Sequence, residues 1–196
     1  MNQAAALRKA DDSKTLLGFW VYLMTDCVLF ACLFATFIVL RHNTNGGPSG
    51  DELFSMPYVL AETLILLASS FTCGLAMLAV QQKQKRQTIF WLAVTAVLGL
   101  AFLTMELQEF INLVHEGHSW QASAAMSSFF TLVATHGLHI TIGLIWIITM
   151  MVRVAKVGLT HGSVRKLTML SLFWHFLDVV WIFIFSIVYL LGVIPT

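Results

Sequence analysis

Hydrophobic positions along the chain gather into five long blocks, near 18–40, 58–80, 89–111, 126–152 and 170–194. Each approaches or exceeds the about twenty apolar residues that a bilayer-crossing helix needs. The polar stretches between them read as connections. Residues 41–57 contain NTNGGPSG, a turn-rich run that no helix tolerates, and 81–88 read QQKQKRQT. Residues 115–125 and 153–169 are polar and contain glycine. The pattern predicts an all-α integral membrane bundle of five transmembrane helices in one domain, 18–196, behind a polar N-terminal tail, 1–17. The first block is too long for the apolar core of a signal peptide, and no small-residue cleavage site ends it, so it is expected to remain as a span.

Composition agrees with that class. Hydrophobic residues make up 58% of the 196 and charged residues 11%, with a mean hydropathy of +0.82, whereas a soluble domain carries roughly 25% charge. A formal charge of +1 gives nucleic acid nothing to bind. Cys27, Cys32 and Cys73 all lie inside apolar runs without CxxC spacing and read as small packing residues.

The few basic residues set the orientation. Three of the eleven precede the first span, three follow the second and four follow the fourth, which leaves Arg41 alone on the other side. By the positive-inside rule the N-terminus is cytoplasmic and the C-terminus periplasmic, as an odd number of spans requires.

Ionisable residues inside the spans are the candidate functional groups, because a charge at depth in a bilayer is costly and faces protein or water rather than lipid. Counting 1.5 Å per residue from the expected span ends puts Asp26, His175 and Asp178 in one belt roughly 8–12 Å below the inner surface. Asp26 is therefore expected to pair with His175 or Asp178 across helices. Glu62, Glu106 and Glu109 form a second belt toward the outer surface, where the latter two fit an interfacial, partly hydrated position equally well and are the least informative of the set. His136 and His139 share one side of the fourth span near its middle. Three chemistries fit these groups: hydrogen bonding that fixes helix packing, a proton or ion path, and haem or metal ligation. The two histidines cannot take opposite axial positions on one haem, since they point to the same side of one helix.

Small residues recur at four-residue spacing at Cys27, Ala31 and Ala35, at Ser70 and Gly74, and beside His139 at Gly143. Such spacing lets membrane helices approach closely. Trp174 and Trp181 are too deep for an interfacial belt and are expected to pack around Asp178.

The segments GFWVYLMTDCVLF (18–30), THGLHITIGLIW (135–146) and FWHFLDVVW (173–181) together resemble subunit III of the haem-copper respiratory oxidases. The similarity extends over essentially the whole chain from Gly18 onward. Five spans and the GGPSG after the first resemble the ubiquinol oxidase branch of the cytochrome bo type, in the bacterial inner membrane. The resemblance implies a non-catalytic, non-redox accessory subunit that packs directly on subunit I and supports assembly and sustained proton uptake. It implies further partners in subunit II and a small subunit IV, phospholipid held between the helices, and haems and copper in subunit I with no cofactor in this chain. Asp26 matches an intramembrane carboxylate that most cytochrome oxidase relatives carry as Glu, and Glu109 in MELQEF also resembles a family acid. Subunit III of a cytochrome c oxidase or of a nitric-oxide-reductase-associated relative is the neighbouring reading. A free-standing proton or cation transporter is the other, although no inverted repeat or pair of broken helices accompanies the charged groups.

Overall fold

The computed structural model describes residues 2–41, 56–115 and 123–190. They form α1 (Asn2–Leu40), α2 (Met56–Gln81), α3 (Lys85–His115), α4 (Ala124–Val157) and α5 (His161–Ile184), the last running on through a π-helical turn, Phe185–Leu190. Each of the five contains a stretch long and apolar enough to cross a membrane, and no strand is present among the described residues. The GGPSG connection lies outside them.

Helices α2, α3, α4 and α5 each touch the next, and α5 returns to α2, so the four close a ring. Helix α1 stands outside it, against α4 and α5. It buries a narrow stripe, Leu23, Asp26, Phe30 and Phe37, at the three-to-four spacing of one helical face. The expected small-residue seam on α1 is absent from this contact. Cys27, Ala31 and Ala35 are exposed, because they follow the buried residues by one or more positions and turn to the free side. Gly74 likewise has nothing within 4 Å of where a Cβ would stand.

Gly143 does mediate close approach, together with Gly99, which the pattern did not single out. A Cβ at Gly99 would lie 2.9 Å from Trp174 Cη2, and one at Gly143 would lie 3.0 Å from Trp174 Cζ3. The indole is a plate slotted between α3 and α4, and only residues without a side chain leave room for it. Lipid removes most of the hydrophobic drive between membrane helices, so such dense contact is a main source of attraction.

The helices run farther than the hydrophobic blocks do. The stretch 153–169, expected as a connection, is helical except for 158–160. Gly158 ends α4 with φ 82°, and Thr160 caps α5 by accepting a hydrogen bond from the Ser163 N–H at 3.4 Å. Arg153 Nε reaches Ser163 Oγ at 3.4 Å across this turn, and Lys85 Nζ donates to the Ala155 carbonyl at 2.8 Å near the end of α4. Basic side chains with long apolar stems are tolerated within the last helical turns at a membrane surface. The charges that had marked a loop therefore sit on helix ends.

Candidate functional site

Three polar groupings occupy the interior. The first stitches α2 to α5. Trp181 Nε1 donates to Thr63 Oγ1 at 3.1 Å and Trp174 Nε1 to Ser69 Oγ at 3.1 Å. His175 Nδ1 lies 3.1 Å from Ser70 Oγ and 3.4 Å from Asp178 Oδ2. The residue numbers rise on one helix as they fall on the other, which is the register of an antiparallel pair. Ser69 also donates to the Thr95 carbonyl at 3.3 Å and Thr72 meets Thr95 Oγ1 at 2.9 Å, which carries the seam on to α3. The indole N–H groups of both tryptophans are taken up by these hydroxyls. Thr63, Ser69 and Thr95 were not anticipated. Their signal was a line of hydroxyls on otherwise apolar spans, and an indole N–H in hydrocarbon needs such an acceptor.

The second grouping joins α1 to α4. Asp26, 7% exposed, places Oδ2 3.7 Å from His139 Nε2. His139 Nδ1 contacts the Thr135 carbonyl one turn back at 2.7 Å, which marks Nδ1 as the donor and leaves Nε2 facing the carboxylate. The expected partnership of Asp26 with His175 or Asp178 is thus replaced. Asp26 stays level with His175 and Asp178, since Tyr22 and Phe34 of α1 meet Phe173 and Phe183 of α5 with ring centroids 6.5 and 6.2 Å apart; it misses them because of the faces the helices present, not because of depth. His175 turns to α2, while α1 meets α4. The ring of His139 also lies 6.4 Å from that of Phe173, so the two levels expected to be separate are one.

The third grouping lies toward the end of the bundle where α2 starts and α3 finishes. Glu62 is fully buried and Glu106 is 2% exposed, and α3 continues to His115 beyond Glu106 and Glu109. Both Glu106 oxygens rest on the backbone of α4, where a Cβ at Gly137 would meet them at 3.0 and 3.1 Å. Glu109 accepts a hydrogen bond from Tyr189 Oη at 3.1 Å. The three carboxyls are near enough for each to feel the others' charge. His136, fully buried, is stacked on Trp181 with ring centroids 5.3 Å apart and is edged by Phe102 at 6.1 Å.

The His136 ring is enclosed by aromatic faces, His139 meets the Thr135 carbonyl and Asp26, and His175 Nδ1 is shared between Ser70 and Asp178. Among the described residues no group of three or more His, Cys, Asp or Glu is arranged to hold a metal ion. What the geometry does supply is helix-to-helix hydrogen bonding centred on signature residues.

Residues 9–193 match the family model described as cytochrome c oxidase subunit III. The chain belongs to that family. Among similar proteins, the cytochrome bo(3) ubiquinol oxidase subunit 3 of Pseudomonas aeruginosa is 56% identical over 178 residues, spanning 91% of this chain and 85% of that one. Quinol oxidase subunit 3 of Bacillus subtilis is 47% identical over 90% of this chain and 87% of its own length. Cytochrome c oxidase subunit 3 of Bacillus sp. PS3 is 48% identical over 91% and 86%. As a subunit III relative with five apolar helices, the chain is a multi-pass protein of the bacterial inner membrane.

Proposed function

We propose that this chain is the accessory subunit III of a proton-translocating ubiquinol oxidase of the cytochrome bo type. It seats directly on subunit I, which carries the haems and copper that reduce oxygen, and assembles with subunit II and a small subunit IV. The observation that carries this reading is the match to subunit III over 9–193, with signature histidines and tryptophans engaged in packing. The exposed side of α1, with Trp20, Val21, Met24 and Val28, is apolar and suits contact with a partner helix or lipid. Phospholipid between helices is part of the proposal. An open, largely apolar groove of roughly 670 Å³ between α3 and α4, lined by Phe110, Ile111, Val114, Phe130 and Ala134, supports it as a seat for an acyl chain.

A second reading, subunit III of a cytochrome c oxidase, is favoured by the 48% identity to the Bacillus sp. PS3 protein. Oxygen consumption by the isolated complex separates the two. Turnover with reduced ubiquinol and none with reduced cytochrome c is expected; the reverse preference would move the chain to the cytochrome c branch.

A further inference from the structure

We propose that Glu62, Glu106 and Glu109 form a proton-holding site in which Glu62 and Glu106 each carry a proton and Glu109 is the carboxylate. Nothing in the packing role requires three acids at one place, and the surroundings differ sharply among them. Neither oxygen of Glu62 nor of Glu106 has a hydrogen-bond donor from the protein, and both side chains are at least nine-tenths buried. Glu109 has a donor, the Tyr189 hydroxyl, 3.1 Å away. An ionised carboxylate in an apolar interior needs donors or a cation, whereas a protonated one is neutral and can itself donate.

Cations do not meet that need. Among the described residues α2 has no lysine or arginine, and those of α3, α4 and α5 sit at the opposite ends of their helices, as Lys85, Arg86, Arg153, Lys156, Arg165 and Lys166. Arg41 closes α1, whose main contacts are with α4 and α5 rather than with α2 and α3, which carry the acids, and His115 is exposed. Among the described residues the other titratable groups facing the cluster are Tyr58 from α2 and Tyr189 from the π-helical turn, while His136, next to the Gly137 that seats Glu106, is stacked on Trp181. No described metal-binding group includes these acids. Carboxyls within mutual electrostatic reach share protons rather than ionise together.

Tyr58 Oη, one helical turn before Glu62, donates to the Met105 carbonyl at 3.1 Å and lies 3.5 Å from Oε1 of the exposed Gln108, which fixes α2 against α3 beside the acids.

Infrared spectroscopy of the intact, purified complex tests this. Wild type minus Glu62→Gln and wild type minus Glu106→Gln should each show loss of a C=O stretch of a protonated carboxylic acid, and that band should shift down after equilibration in D2O. Wild type minus Glu109→Gln should instead show loss of carboxylate stretch. Loss of carboxylate intensity in the first two variants, or a band that D2O leaves unmoved, would overturn the proposal. So would a metal ion, found by elemental analysis of the wild-type complex and lost in either variant. Should one glutamine variant fail to assemble, that too contradicts the assignment, because glutamine reproduces the shape and neutrality of a protonated glutamate.

Discussion

The Ser69 hydroxyl receives the Trp174 indole N–H at 3.1 Å and itself donates to the Thr95 carbonyl at 3.3 Å. One fully buried side chain on α2 thereby ties α5 to α3. Ser69→Ala should lower the free energy of dissociation or unfolding in rising SDS by about 0.6–1.7 kcal/mol, the span seen for hydrogen bonds between membrane helices. Ser69→Thr, which keeps the hydroxyl, should lose less.

The slot for Trp174 makes a sharper contrast among glycines. At Gly99, 2.9 Å from the indole, alanine should destabilise by about 1–3 kcal/mol through overpacking. At Gly74, where a Cβ meets open space, alanine should be neutral or stabilising by up to about 1 kcal/mol from helix propensity. Retention of this chain in the complex during an SDS titration reads both, and equal losses at the two sites would contradict the slot.

Asp26 holds the outlying helix. Asp26 supplies a polar contact in an otherwise apolar and aromatic seam of Phe19, Leu23, Phe30, Phe34 and Phe37, so α1 docking should depend on the Asp26–His139 pair. Asp26→Ala leaves a buried imidazole without its partner, at about 1–3 kcal/mol. The variant should lose α1 docking, read as a cysteine cross-link between α1 and α4 that no longer forms, while haem spectra of the complex stay unchanged. An altered haem spectrum in an otherwise intact complex would contradict a purely structural pair.

Orientation rests on the distribution of lysine and arginine. In a cysteine-free background, Gln82→Cys, exposed in the turn between α2 and α3, should react with a membrane-impermeant thiol reagent in inside-out vesicles only. Labelling in right-side-out cells would invert the topology.

Span number and class were legible because hydropathy reports on the solvent, and lipid is an extreme one. Helix ends were not, because Arg153, Lys156, Arg165 and Lys166 are polar wherever they sit and can extend from a helix as readily as from a loop. The shared level of Asp26, His175 and Asp178 was legible, but not that His175 turns to Ser70 on α2 and leaves Asp26 to His139. His136, Trp174 and Trp181 were recognisable as residues that had to be buried. Their acceptors were not identifiable, since the register between α2 and α5, about a hundred residues apart in sequence, follows from packing around Gly99 and Gly143 and from no local signal. Glu62, Glu106 and Glu109 were legible as one belt by depth, but not as one cluster, because depth does not say which helix faces meet. The antiparallel pairing of α2 and α3 is what brings them together.

Affinity purification of this chain in mild detergent, followed by a pyridine haemochrome spectrum and identification of the co-isolated subunits, tests its accessory role most directly. The account predicts a coloured complex in which b-type and o-type haem travel with a larger subunit, and haem spectra that persist when this chain is removed from the assembled complex. A colourless, self-contained species, or haem retained by this chain alone, would contradict it.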